Sequence, residues 1–144
     1  MEFGKDTKEL NEQLEKADNK EKLEELLKDI QNTSTFGDWF YHTLEDKGMS
    51  IPDVEKNTDI SHSYIYAIQN NTKKPSRETV IKIGLAMGLE KEELDRGLKI
   101  AGFKELYVKN EDDALILYGF GKKLDIWEID ELLREHGSQM HLVD

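Results

Sequence analysis

Apolar positions recur at helical intervals along nearly the whole chain. Between Thr7 and about Asn32, Leu10, Leu14 and Ala17 follow 4-3 spacing, as do Leu23, Leu27 and Ile30, and the two sets are out of phase across Asp18-Asn19. The pattern predicts two short helices or one kinked helix. Its stripe must cover something: the chain's own core is the first expectation, a dimer seam the alternative. Asn32-Thr33-Ser34-Thr35 is a polar break suited to an N-cap, and a helix through Phe36, Trp39, Phe40, Thr43, Leu44 and Lys47 follows it. That helix stops at Gly48, the residue type favoured where a helix ends left-handed. Ser50 caps a short helix to about Asn57, with Pro52 in its first turn, where a missing N–H costs little. Ser61 caps another through Tyr64, Ile65 and Ile68. After the Asn70-Asn71-Thr72 loop, Pro75-Ser76 open a helix carrying Val80, Ile83, Met87 and Leu89, interrupted by Gly88.

Three further helical stretches follow. One uses Leu94, Leu98 and Ala101 and stops at Gly102; one follows Asn110 with Ala114, Leu115, Leu117 and Tyr118. The last opens with Asp125-Ile126-Trp127-Glu128, a capping-box-like start, and runs through Ile129, Leu132 and Leu133 to Gly137. Only Leu106-Tyr107-Val108 suggests a short extended piece. The chain is expected to be all-α.

Between Ile51 and Asn70 the sequence reads IPDVEKNTDISHSYIYAIQN. Val54, Ile60, Ile65 and Ile68 match the core positions of a helix-turn-helix. Val54 packs on Ile65 and Ile68, Ile60 plugs the corner, and a tight turn at Thr58-Asp59 sets the crossing angle. The second helix is thereby held away from the body, with its outer face free to enter a major groove.

The stretch from about Phe36 to Leu94 resembles the lambda-repressor-like (XRE) helix-turn-helix family. The likeness rests on the turn with its apolar corner, the Ser61 cap, "YIYAIQNNTKKPS" and "PSRETVIKIGLAMGL". "LKIAGFKELYVKNEDDALILYGF" and "EIDELLREHG" extend it toward a bacterial subgroup with helices added on both sides. The resemblance implies a five-helix DNA-binding core with helical N- and C-terminal extensions, and regulation of transcription. The corresponding division is 1–33 as an N-terminal extension, 34–101 as the DNA-binding domain, and 102–144 as a C-terminal extension packed on the core. Two motif positions depart from the family. The fifth, usually alanine, is Glu55, whose stem must bend outward to keep its carboxylate wet. The ninth, usually a glycine in a left-handed turn, is Asp59, which tolerates that conformation better than most residues.

Carried over position by position, the resemblance gives His62, Ser63, Tyr66 and Gln69 as base contacts. His62 can donate to guanine or thymine acceptors, Ser63 can donate or accept, and Tyr66 can meet a thymine methyl or a phosphate. No arginine leads the recognition helix, so readout is expected to be modest or shared with DNA shape. Phosphate contacts are expected from Ser50, Asn70, Asn71, Lys73, Lys74 and Arg77. The implied partner is double-stranded DNA bound by a homodimer, since two-fold symmetry doubles the few contacts of one module.

Charge pulls the other way. The 144 residues carry a formal net charge of −11, whereas DNA binders usually show a basic footprint. The acid is uneven: residues 1–33 hold 6 basic and 10 acidic side chains, 34–89 hold 6 and 7, and 90–144 hold 8 and 14. The middle is thus near neutral, its basic residues gathered at Lys73, Lys74, Arg77 and Lys82. The acidic flanks and Glu55 leave a competing reading: a protein-interaction module on the same fold, as an antitoxin, adaptor or anti-repressor.

With no cysteine there is neither disulfide framework nor thiolate metal site. His42, His62, His136 and His141 lack ligand spacing, so no metal or cofactor is expected. Glu111-Asp112-Asp113 stands at a helix start, where acids complement the macrodipole. No nucleophile–base pair is suggested, so no enzyme activity is predicted. No apolar run approaches membrane-span length and the N-terminus is polar, so the expected location is cytoplasmic. Phe103, Tyr107, Tyr118, Phe120 and Trp127 are expected to lengthen the core; lining a sensing pocket is the alternative.

Overall fold

The computed structural model describes residues 7–16, 19–33 and 35–143, and the side chains of these except at 7, 9, 10 and 28–33. Ala17, Asp18 and Ser34 therefore lie outside the described residues, as do the side chains of Leu10, Ile30, Asn32 and Thr33. The order is α1 Thr7–Lys16, α2 Lys20–Thr33, α3 Phe36–Lys47, α4 Ile51–Glu55, α5 His62–Gln69, α6 Arg77–Met87, α7 Lys91–Ile100, α8 Glu111–Gly121 and α9 Ile126–Glu135. Among the described residues there is no strand, and 106–108 is loop.

Local chemistry accounts for the boundaries. Thr35, Ser50, Ser61, Ser76, Asn110 and Asp125 are extended N-caps whose side chains each accept a backbone N–H from the first turn. At Ser50 and Asp125 the bond is returned by Asp53 and Glu128 as a capping box. Asp53 is held below the usual carboxylate range by the Ser50 backbone N–H, then by the Ser50 hydroxyl.

One apolar cluster runs from Phe36 to Leu142. Phe40, Val54, Ile65, Ile81, Ile83, Leu94 and Leu98 are fully buried in it, each side chain worth roughly 1.5–3 kcal/mol. From the C-terminal third, Ile116, Ile129, Leu133 and Leu142 belong to the same cluster and are equally buried. Two close approaches shape the middle. The Trp39 ring lies against Gly97, where a β-carbon would sit 2.7 Å from it. Gly37, in the first turn of α3, lies against the end of α5, where a β-carbon would meet the Gln69 and Ile68 carbonyl oxygens at 2.5 and 2.7 Å.

The N-terminal stripe is only partly covered, contrary to expectation. Leu26 is buried, and α2 packs on α3. Leu14, Leu23 and Leu27 stay exposed. The buried register on α2 therefore differs from the Leu23–Leu27 spacing read from sequence.

Three buried aspartates tie down the C-terminal third. Asp95 accepts the Leu106 N–H at 3.0 Å and pairs with Lys91 at 2.7 Å. Asp113 accepts the Tyr107 N–H at 2.8 Å and pairs with Arg77. Asp130 accepts the Leu142 and Val143 N–H groups at 2.8 and 3.2 Å and pairs with Arg134 at 2.6 Å. Each carboxylate thus satisfies loop backbone that would otherwise be lost to burial.

Candidate nucleic-acid interface

Ser61 starts α5, its hydroxyl accepting the Tyr64 N–H at 3.4 Å. Ile65 and Ile68 turn inward and are buried with Val54, while Ile60 is half-buried at the edge of the same cluster. The opposite side of α5 presents His62, Ser63 and Tyr66, all exposed, with Tyr64, Ala67 and Gln69 half-buried between the two faces. The His62 and Tyr66 rings lie 4.6 Å apart between centroids.

Backbone bonds close the turn before α5, from Asn57 N–H to Val54 at 3.0 Å and from Thr58 N–H to Glu55 at 3.5 Å. Two side chains brace it on α6. Asn57 Nδ2 donates to the Ala86 carbonyl at 3.1 Å, and Asp59 pairs with Lys82 at 2.9 Å. Asp59 is not among the residues with positive φ, so the left-handed turn expected at the ninth motif position is absent. Its carboxylate is used instead to hold Lys82, which removes that lysine from the expected basic edge. Glu55 does not simply bend into water. It is half-buried, and its Oε1 meets His62 Nδ1 at 2.7 Å. The carboxylate that threatened the outer face is therefore engaged by the first residue of α5.

Beyond α5 the loop folds back, the Thr72 and Lys73 N–H groups donating to the Ala67 carbonyl at 2.8 and 3.1 Å. This sets exposed Lys73 and Lys74 at the far end of the helix. Neither has a side-chain partner among the described residues.

The other expected phosphate contacts are occupied within the fold. Arg77 turns inward: its Nη1 and Nη2 fork onto Asp113 at 3.0 and 2.8 Å, and it also donates to the Lys104 and Glu105 carbonyls. A guanidinium with this many acceptors holds the C-terminal loop rather than an outside anion. Asn71 is likewise engaged within the fold. Its Oδ1 accepts the Gly37 N–H at 3.0 Å and its Nδ2 donates to Asp38 at 3.3 Å. Asn70 Oδ1 accepts from the Thr72 N–H at 3.0 Å and from the Thr72 hydroxyl. The Ser50 hydroxyl donates to Asp53 at 2.9 Å.

The aromatic set of the C-terminal third does not gather into one pocket. Tyr118 and Trp127 are exposed on the surface, Phe103 and Tyr107 line one groove, and Phe120 lines another. Among the described residues no cluster of three or more His, Asp or Glu is placed to hold a metal ion, and no helix is long and apolar enough to cross a membrane. No family model, characterised protein or solved structure matches the chain.

Proposed function

We propose that α3–α7 form a lambda-repressor-like helix-turn-helix core and that the chain is a sequence-specific, homodimeric, cytoplasmic DNA-binding regulator of transcription. The observation that carries this reading is α5. It is capped by Ser61, anchored by Ile65 and Ile68, exposed at His62, Ser63 and Tyr66, and followed by Lys73 and Lys74, which have no side-chain partner among the described residues. In this assignment α5 enters the major groove, Ser63 and Tyr66 read base edges, and Lys73 and Lys74 meet phosphate. His62 commits its Nδ1 to Glu55 and turns its other ring nitrogen, Nε2, to a base. Base readout is accordingly short of strong bidentate pairs, and DNA shape supplies part of the discrimination.

The test is a gel shift on genomic fragments, beginning with the region upstream of the chain's own coding sequence. Binding is expected, weakening with salt and lost in the Lys73→Glu/Lys74→Glu double variant. A double variant that binds as tightly as the parent rejects the assigned phosphate edge.

A second reading, docking to a protein, is favoured by the −11 charge and by the exposed Leu14, Leu23 and Leu27 on an acidic segment. It predicts no specific fragment retention at any salt concentration.

A further inference from the structure

A second concave site lies between the end of α6, the start of α7 and the α8–α9 corner, with a volume of about 580 Å³. Cavities of roughly 300–1,000 Å³ are the usual size for small-molecule sites. Leu85, Leu117, Phe120 and Leu124 line it, all half-buried and packed against the main cluster. Glu90, Lys91, Lys123 and Asp125 line it as well. Lys91 is held by Asp95 at 2.7 Å, and Asp125 caps α9 through the Glu128 N–H at 2.9 Å. Glu90 is exposed at the start of α7. Lys123 has no side-chain partner among the described residues.

The backbone of Lys123 singles it out. Six residues have positive φ among those described: Gly48, Asn71, Gly88, Gly102, Lys123 and Gly137. All follow helix ends, and five are glycine or asparagine, the types that tolerate the left-handed region. At α8 the same motif closes normally, with Leu124 N–H to Gly119 at 2.9 Å and Lys123 N–H to Phe120 at 3.1 Å. Yet lysine occupies the left-handed position, at φ 57. A cation near a helix C-terminus complements the macrodipole, but Lys122 in the preceding position already does so without strain. Strain retained in a residue that lines a cavity is a pointer to function.

The geometry points to a binding site for a small amphipathic carboxylate, its apolar body on Leu85, Leu117, Phe120 and Leu124 and its acid group on Lys123. Asn57 also lines this cavity, and its side chain braces the turn before α5 on the Ala86 carbonyl. An occupant therefore bears on a residue that braces the turn leading into α5. The ligand site stands by itself; its use as an effector site rests on the DNA-binding reading above.

Octanoate serves as the probe and octylamine as its charge-reversed control, each titrated into the full chain with amide resonances followed by NMR. Saturable shifts are expected with octanoate at residues 85, 117, 120 and 124, with further shifts at 57–60, and none with octylamine. Lys123→Gly is the discriminating variant. It relieves the left-handed strain and is expected to raise the melting temperature by about 3 °C, so loss of binding in it is not loss of fold. Octanoate affinity is expected to fall about tenfold, the worth of one hydrogen bond to a charged group. Equal binding of octylamine, shifts confined to other surfaces, or unchanged octanoate affinity in Lys123→Gly each overturns the site. In the gel shift, saturating octanoate is expected to change fragment affinity severalfold. Unchanged affinity alongside confirmed octanoate binding rejects the effector role alone, and a parent that binds no DNA rejects the regulator reading while the titration still decides the site.

Discussion

Asn71 shows how much one side chain beyond α5 controls. It sits at φ 65, a conformation asparagine tolerates better than most residues. There its amide clamps the first turn of α3 through the Gly37 N–H and Asp38. The clamp requires α3 to approach so closely that Gly37 has no room for a β-carbon, the Gln69 carbonyl oxygen lying 2.5 Å from where it would be. The obstacle is backbone and does not rotate away. Gly37→Ala is therefore expected to destabilise the chain by about 1–3 kcal/mol, the usual cost of overpacking, and to misplace α5 against α3. Urea unfolding reads the first effect, and amide shifts along 62–71 read the second. A variant as stable as the parent, with an unshifted α5, removes the clamp from this account.

At the scale of elements, the helices were legible in the sequence because their signals are local. The caps at Ser50, Ser61, Ser76, Asn110 and Asp125 and the stop at Gly48 lie within three or four residues of the bonds they make. What pairs across the fold was not legible. Arg77 and Asp113 are 36 positions apart, and nothing near Arg77 distinguishes an internal partner from a phosphate. Lys82 pairs with Asp59, 23 positions away, and was illegible for the same reason, so of a basic cluster of four in sequence only Lys73 and Lys74 lack a side-chain partner among the described residues. Arg77→Met is expected to leave Asp113, only 5% exposed at its side chain, without its ion-pair partner, though still accepting the Tyr107 N–H. That costs about 3 kcal/mol, whereas Lys74→Met is expected to be neutral to stability; thermal unfolding of the two variants compares them directly. The third aspartate bears on pH. Burial pushes Asp130 up, but Arg134 and the Leu142 and Val143 N–H groups outweigh it and hold its carboxyl below the usual range. A lowered folded-state pKa means its stabilisation is present above the unfolded value and lost as pH falls through the folded one. Acidification into and below the ordinary carboxylate range should therefore free the 138–143 segment, an effect that Asp130→Asn should blunt.

For the whole molecule, the proposed DNA-binding role has to be reconciled with a net charge of −11. Its middle third is near neutral, and the structure narrows the usable cations further: among the described residues Lys47, Arg77 and Lys82 are paired within the fold, leaving Lys73 and Lys74 as the pair beside α5 and Lys56 exposed at the end of α4. Each phosphate neutralised contributes a slope of about −0.9 to log affinity against log salt. Two lysines per copy therefore predict a slope near −2 for one copy on its half-site and about −4 for two. A basic DNA-binding domain making six to ten phosphate contacts is far steeper. The shallow slope has a consequence for selectivity. If the chain binds DNA as proposed, little charge-driven attraction means that nonspecific binding is expected to be weak, with the acidic flanks opposing it further. Retention on a fragment then depends on the fit of Ser63, Tyr66 and the DNA's own shape. Fragment titrations across a salt series measure this directly. A slope steeper than about −6 would mean that cations outside the Lys73–Lys74 edge reach phosphate, and the orientation of α5 in the groove would have to be redrawn around them.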